Sequence, residues 1–227
     1  MVKSERLSRA AAVPRAVRSS VRRQELLDAS LTVIARKGIS GLTLADVAAE
    51  AGCSQGIINF HFCTKEQLLL AALDATLADY EDLWLERPEV TEPATAAAEI
   101  RAMIRADFHP RVASRNRIAI WVAFWAETPR VGAYRDRCAA LKQRYRQAVT
   151  NLLTVLVRAQ EAKADPAVIA ESLNALIDGW CIHALVTGKI GASDRERGML
   201  ACFTLLAQFF PAIFAGDRDR LTPGAAA

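Results

Sequence analysis

One pentapeptide of the chain, Gly52 to Gly56, has the spacing of a catalytic serine motif. It reads GCSQG and fits G-x-S-x-G, the turn that exposes the nucleophile of α/β-hydrolases. That turn requires a buried strand before the serine, and an acid and a histidine after it. The residues before Ser54, ADVAAEA, have the pattern of a helix instead. We therefore predict that the chain is not an enzyme and has no catalytic residues.

Side chains that bind metals are few and scattered. The histidines lie far apart in sequence, and His61 with nearby Cys63 supplies too few ligands for a metal site. The five cysteines contain no CxxC pair. An odd number without ligand spacing is typical of reduced thiols in a reducing compartment. We expect no metal and no cofactor.

Tryptophans and one carboxylate are the residues whose chemistry suits a small cation. Trp121 and Trp125 lie one helical turn apart and share a face, with Phe124 between them in sequence. A later segment, LIDGW, places Asp178 near Trp180. An indole face attracts a cation by on the order of 0.5–2 kcal/mol, and a carboxylate balances its charge. The alternative is that the tryptophans pack the core and that the carboxylate caps a carbonyl or pairs with an arginine.

The elements that must position these residues are predicted to be helices. No stretch alternates as a strand does, and Gly and Pro fall mostly between long helical patterns. The hydrophobic content of 52 % is enough for a core, yet no apolar run approaches the roughly 18 residues that span a bilayer. The first 20 residues lack the apolar region of a secretory signal. We expect an all-α protein in the cytoplasm, away from membranes.

The segment from Thr43 to Leu69 predicts a DNA-reading element. Its sequence, TLADVAAEAGCSQGIINFHFCTKEQLL, indicates two short helices joined by a glycine-containing turn and followed by a longer, capped helix. In this helix-turn-helix geometry the second short helix can enter a major groove about 12 Å wide. Gln55 and Asn59 are left facing outward, where their amides can hydrogen-bond to base edges. Gly56 has no side chain to hold the backbone away from DNA.

The same segment resembles the DNA-binding domain of the TetR family of transcriptional regulators. The resemblance rests on TLADVA, AGCSQGIINFHF and T-K-E-x-L, within residues 20–80, with the motif itself at 43–62. Asn59-Phe60, where a tyrosine is common, and Cys63 depart from the family pattern and leave the operator sequence open. The resemblance implies that eight residues contact DNA. Thr43 and Ser54 would cap helices and touch phosphates, and His61 and Lys65 would bind the DNA backbone. Four residues would face the major groove: Gln55, Gly56, Asn59 and Phe60.

The chain after residue 80 is predicted to be a helical bundle for ligand binding and dimerisation, over residues 81–214. Apolar stripes on the last two predicted helices, the second from about Asp194 to Phe214, suit an isologous four-helix interface, or else the subunit's own core. These helices occupy the dimerisation position of the TetR family. We expect five residues in a homodimer interface: Leu173, Ile177, Phe203, Leu206 and Phe210.

Two segments, WVAFWAE and ALIDGWCIHALVTGK, resemble the C-terminal half of the choline-responsive repressors of glycine betaine synthesis, a branch of the TetR family. The resemblance implies a repressor released from a palindromic operator by choline or a related cation. Its dimer places two recognition helices in successive major grooves about 34–36 Å apart, and the ligand shifts the population away from that spacing. Two alternatives are a regulator of efflux or catabolism that answers another small hydrophobic ligand, and a DNA-binding protein that senses none.

Both ends of the chain are predicted to lie outside the folded domains. Residues 1–19 form a flexible basic arm, in which Lys3, Arg6 and Arg9 outnumber the single acid Glu5. Such an arm can lie along phosphates or enter a minor groove, or it can be a solvated tail without a role. Residues 215–227 are expected to be a disordered tail.

Overall fold

The computed structural model describes residues 15–84, 90–161 and 163–222, and every regular element within them is a helix. This confirms the all-α prediction. Ten helices lie in that part of the chain: α1 (Arg15–Lys37), α2 (Leu44–Glu50), α3 (Gln55–His61), α4 (Lys65–Glu81), α5 (Pro93–Asp107), α6 (Arg115–Glu127), α7 (Gly132–Gln160), α8 (Pro166–Thr187), α9 (Ala192–Phe209) and α10 (Pro211–Leu221).

The N-terminal helices form a small unit with its own ion pairs. Helix α1 packs on α2 and α4, and α2 packs on α3. Lys37 reaches Asp46 at 2.7 Å, which fastens the end of α1 to α2. The turn between α2 and α3 depends on Gly52, whose φ of +59° is a conformation that residues with a Cβ rarely adopt. Val47 and Ile58, both fully buried, hold the two short helices inside this unit.

The side chains of Thr43 and Thr64 cap the helices that follow them. The Thr43 hydroxyl accepts a hydrogen bond from the N–H of Asp46 at 3.1 Å, and the Asp46 carboxylate accepts one from the N–H of Thr43 at 3.3 Å. The Thr64 hydroxyl likewise accepts from the N–H of Gln67 at 3.2 Å. The Gln67 side chain, however, accepts from the N–H of Cys63 rather than that of Thr64. The turns into α2 and α4 are therefore fixed by side chains that the sequence already identifies.

Helices α5 to α10 form the body of the protein. The longest, α7, packs on α5 and α8, while α9 packs on α8 and α10. Helix α6 packs on α7 and α8 and also on α1 of the N-terminal unit, and the Ser40 hydroxyl meets the Glu127 carboxylate at its end, at 3.3 Å. One continuous cluster of buried apolar side chains runs from α1 to α10. The N-terminal unit and the body therefore share a core.

The C-terminal end differs from the prediction. The expected single helix is broken at Phe210, because Pro211 has no N–H to donate and its ring would clash with the preceding turn. Helix α10 then runs to Leu221, and its buried Asp217 accepts a hydrogen bond from Nε of Arg101 on α5 at 2.6 Å. Disorder was the wrong prediction for residues 215–221, since this ion pair fixes the helix to the body. Residues 223–227 lie outside the described part.

At the N-terminal end, the first helix begins earlier than expected. Helix α1 starts at Arg15, so the last residues of the predicted arm, 15–19, belong to a helix. The basic residues Lys3, Arg6 and Arg9 lie outside the described residues.

The side chains predicted to form a dimer interface are instead buried inside the subunit. Phe203 is 2 % exposed, and its ring lies 6.3 Å from that of Phe214 on α10. An apolar stripe shows that a helix face is covered but not which neighbour covers it. The prediction is corrected for all five residues, each of which is less than a tenth exposed: Leu173, Ile177, Phe203, Leu206 and Phe210.

Candidate functional site

One face of α3 presents polar and aromatic side chains to solvent. Gln55, Gly56 and Asn59 are exposed there, and the Phe60 ring is 74 % exposed. A Cβ added at Gly56 would approach only the Ser54 hydroxyl, at 3.7 Å, so another molecule can come close to the backbone. The helix turns its opposite side, with Ile58, into the core. The structure thus brings together the four residues predicted to face a groove.

The predicted phosphate contacts differ in how free their side chains are. Ser54 is the N-cap residue of α3, but its hydroxyl makes no capping hydrogen bond and is exposed. The Thr43 hydroxyl is committed to Asp46. Nζ of Lys65 donates to the Leu42 carbonyl oxygen at 2.5 Å, which leaves two further N–H groups on that ammonium. The ring of half-buried His61 packs edge-on against Phe60, with centroids 5.2 Å apart.

The G-x-S-x-G pentapeptide joins two helices. Residues 44–50, before Ser54, form α2, so the serine does not follow a strand as a nucleophile elbow does. Across residues 15–84, 90–161 and 163–222, no group of three or more His, Cys, Asp or Glu side chains is placed to hold a metal ion. None of the helices in the described part is long and apolar enough to cross a membrane.

A second concentration of chemistry lies inside the body, where five aromatic residues meet. We call Tyr80, Trp84, Trp121, Trp125 and Tyr145 the aromatic cluster. The Tyr80 ring lies 5.9 Å from Trp121, 6.0 Å from Trp84 and 6.1 Å from Tyr145, measured between centroids. Trp121 lies 6.2 Å from Trp125. Helices α4, α6 and α7 therefore contribute rings to one group.

Asp107, at the end of α5, lies buried within this cluster. Its carboxylate accepts hydrogen bonds from the Tyr80 hydroxyl at 2.5 Å and the Tyr145 hydroxyl at 2.6 Å. Burial raises the pKa of Asp107 to about 6, against the opposing effect of the two hydroxyls and of Lys142. At neutral pH the carboxylate is still the major form. Burial and the nearby carboxylate raise the pKa of both tyrosines well above the ordinary value, so they remain neutral donors.

Lys142 of α7 completes the charged part of the site. Its ammonium contacts the carboxylate of Asp178 on α8 and lies 5.0 Å from the ring centroid of Trp125 on α6. Three helices are thus joined by one side chain. Asp178 pairs with a lysine here, where an arginine was considered from the sequence.

Two residues predicted to share this site lie elsewhere. Trp180 is two positions after Asp178, so its side chain points about 200° away around α8. There its ring packs on Phe108 at 4.8 Å, and its Nε1 donates to the Asp194 carbonyl at 3.2 Å. Phe124 is fully buried, and its ring packs edge-on against Tyr134 at 5.4 Å. The structure brings together Trp121, Trp125 and Asp178, but not these two.

A cavity of about 360 Å³ opens beside the cluster, with Tyr80 and Trp121 in its wall. This volume is within the range of small-molecule sites. Its rim is charged, with Asp79 and Arg117 among the lining residues. A larger and more open cavity, about 1130 Å³, lies along α7 and meets the cluster only at Trp84. The smaller cavity is the better candidate for a ligand because its wall contains Trp121 and Tyr80, and Tyr80 donates a hydrogen bond to the buried Asp107 carboxylate.

Besides Trp84, which follows α4, four side chains of this candidate site were missed in the sequence: Tyr80, Asp107, Lys142 and Tyr145. They come from α4, α5 and α7, and each lies in a helical segment whose local pattern shows nothing unusual. A charged residue on an otherwise apolar helix face, such as Asp107 after Met103 and Ile104, was the one available signal.

Family models match both halves of the chain. Residues 26–72 match the model described as bacterial regulatory proteins, tetR family, and residues 96–211 match the BetI-type transcriptional repressor, C-terminal. The HTH-type transcriptional regulator BetI of Paraburkholderia phymatum is 32 % identical over 179 residues, which is 78 % of this chain and 87 % of that protein. BetI of Escherichia coli K12 is 29 % identical over 200 residues, 88 % of this chain and 99 % of that protein.

Solved structures share the fold. A putative transcriptional regulator from Pseudomonas aeruginosa PAO1 aligns with a TM-score of 0.69 and 24 % identity, over 92 % of this chain and all of that one. A putative transcriptional regulator from Saccharomonospora viridis, solved in complex with choline, aligns with a TM-score of 0.63 and 23 % identity, over 79 % of this chain and 94 % of that one.

Proposed function

The chain belongs to the TetR family of transcriptional regulators and has a BetI-type C-terminal domain, and from this premise we propose how it reads DNA and what releases it. The protein acts as a homodimer in the cytoplasm, binds a palindromic operator through α3, and leaves it when a small organic cation enters the body. The exposed face of α3 is the observation that carries the DNA-binding part. The aromatic cluster with its carboxylates supports the choice of effector.

The roles of individual α3 residues follow from their exposure. The Gln55 and Asn59 amides can each donate to and accept from base edges in the major groove. The exposed Phe60 ring can make apolar contact with a thymine methyl group. The free hydroxyl of Ser54 and the remaining N–H groups of Lys65 are suited to phosphates. Thr43 and His61 complete the proposed contact surface.

Gln55→Ala is expected to relax base preference at one or two operator positions and to cost about 1–3 kcal/mol of specific binding. Binding to unrelated DNA, which depends on phosphate contacts, should keep its affinity and its salt dependence. Titration of an operator and of point-substituted operators by fluorescence anisotropy, at several salt concentrations, measures both.

The matched control is Gln147→Ala, since Gln147 is an exposed glutamine on α7, far along the chain from α3. It should behave as the wild type. Loss of affinity for every sequence in Gln55→Ala, with a flatter salt dependence, would contradict base reading and assign this residue to phosphates.

A different face of α8 is available for the dimer. The exposed side chains recur every three or four positions, so they form one stripe. Ile182 is 48 % exposed and Val186 is 80 % exposed, which is unusual for large apolar residues in a subunit that is complete by itself. On α9, Thr204, Gln208 and 38 %-exposed Phe209 are also open to a partner. We define the outer α8 stripe as Val168, Ser172, Ala175, Gly179, Ile182 and Val186.

The effector proposal rests on complementary chemistry. Aromatic faces and carboxylates together are what a quaternary ammonium ion needs when water is excluded. Trp121 and Trp125 supply indole faces, while Asp107 and Asp178 supply two negative charges nearby. The choline held by the Saccharomonospora viridis regulator, which has the same fold, supports choline as the first compound to test.

Choline is expected to quench tryptophan fluorescence and to weaken operator binding. Trp125→Leu keeps apolar bulk but removes the π-face, so choline binding should weaken by about tenfold while operator binding without choline is retained. Isothermal calorimetry with choline chloride and operator titrations with and without it measure the two effects. Linkage requires operator DNA to weaken choline binding by the same factor.

Trp180→Leu is the control, because Trp180 is a half-buried tryptophan on the other side of α8. It should leave choline affinity unchanged. Equal losses in both variants would show a general effect on the fold. Absence of choline binding to the wild type at millimolar concentration would leave the repressor with a ligand of another class.

A further inference from the structure

The ammonium of Lys142 lies where an organic cation would be expected to bind. It contacts the Asp178 carboxylate and faces the Trp125 ring at 5.0 Å from its centroid. An ion-pair partner on one side and an indole face on the other are the two contacts that a small ammonium ligand makes. The chain therefore supplies, from α7, a cation for its own site.

The site has more carboxylates than the one ammonium that its proposed occupant supplies. The site holds two carboxylates, Asp107 and Asp178, and Lys142 is a positive side chain that acts on both. The hydroxyls of Tyr80 and Tyr145 are neutral. An incoming monovalent cation would thus not have to enter a neutral or positive interior.

Lys142 can leave its place easily. About a third of its side chain is exposed, and so is about a third of that of Asp178. Water therefore reaches both charges and can solvate each of them when the pair separates. The four-carbon stem of lysine also lets the ammonium swing into solvent without moving the backbone of α7.

We propose that Lys142 is a tethered occupant of the effector site, which fills it in the free protein and which a cationic effector must displace. This inference rests on the proposed function. Displacement also breaks the link that Lys142 makes between α6, α7 and α8. Helix α6 packs on α1 of the DNA-binding unit, so the loss of this link changes the support of a helix that contacts both halves of the protein. Lys142 thereby sets the effector concentration at which the protein responds.

The test removes the ammonium and keeps the stem. Lys142→Met should bind choline about tenfold more tightly than the wild type, as expected from the loss of a competing, partly exposed ion pair and one cation–π contact. Lys142→Arg, which retains a positive occupant, should show no such gain. Lys189→Met, at an exposed lysine away from the cluster, controls for the change in net charge and should match the wild type. Calorimetry with choline chloride gives the four affinities.

Equal or weaker choline binding by folded Lys142→Met would overturn the proposal and make Lys142 a structural support of the site. If that variant does not fold, the wild-type Lys142 ammonium can be followed by ¹⁵N NMR. Its signal should move to the value of a solvated lysine as choline is added, and an unmoved signal at saturation would equally overturn the proposal. Operator binding without choline is measured in parallel. Wild type that binds operator but not choline refutes this inference and leaves the repressor function intact, whereas wild type that binds no operator refutes the function itself.

Discussion

Phe203→Asp is expected to unfold the subunit, whereas Ile182→Asp should leave it folded but monomeric. Phe203 is 2 % exposed, so a carboxylate there loses both the buried ring and its own hydration. The first loss costs about 3–5 kcal/mol and the second several more, which together approach the total stability of a domain. Ile182 is half exposed in the subunit, on the outer α8 stripe, and tolerates a charge until a partner covers it.

Because an isologous interface contains each substituted residue twice, Ile182→Asp should weaken dimerisation strongly. Operator affinity should then fall by at least about a hundredfold, since one half-site alone holds the monomer. Urea denaturation followed by circular dichroism gives stability, and light scattering gives mass. A Phe203→Asp variant that is folded but monomeric would show that Phe203 lies in the dimer interface. An Ile182→Asp variant that stays dimeric would show that the dimer contact is on another surface.

Gly198→Ala should destabilise the protein by about 2 kcal/mol, although alanine is normally the better helix residue. Gly198 lies buried in α9, and a Cβ there would come within 2.1 Å of Cε1 of Phe108. The Phe108 ring has little freedom to move, since it is itself buried against Trp180. The resulting overpacking exceeds the gain in helix propensity. The melting temperature should fall by about 4–8 °C.

Gly216→Ala, also in a helix, is expected to change the stability in the opposite direction. Gly216 is exposed in α10, and an added Cβ meets nothing within 4 Å. This variant should be more stable than the wild type by about 0.5–1 kcal/mol. Calorimetric melting of both variants decides the matter. A Gly198→Ala protein that melts above the wild type would show that Phe108 moves aside at no cost.

Local features of this protein were predictable from sequence because their causes are local. A hydroxyl three residues before a carboxylate or an amide specifies the caps at Thr43 and Thr64. The α3 face followed from the 3.6-residue period, since Ile58 marks the buried side of that helix and Gln55 and Asn59 lie outside it.

The partners of those faces were not predictable in the same way. Phe203 was predicted to be an interface residue because the helical period identifies a buried face but not whether the same subunit or a partner buries it. Asp178 and Trp180 are close in sequence but diverge around α8. Asp107 and its tyrosine partners come from three helices and are separated by 27 and 38 residues, a juxtaposition that only the packing of the body creates.

The shared core of α1 and α6 limits how this regulator can be recombined with others. A chimera joined between α4 and α5 would contain the whole helix-turn-helix unit, but its α1 would pack against the α6 of another protein. The contact between these two helices would then be either partly exposed or overpacked. Fusing the helix-turn-helix unit to another ligand-binding domain therefore requires that the contacting surface of α6 be kept as well, including Glu127, which contacts Ser40. The exchangeable module of this protein is discontinuous in sequence: α1 to α4 together with the faces of α6 and α7 that contact them.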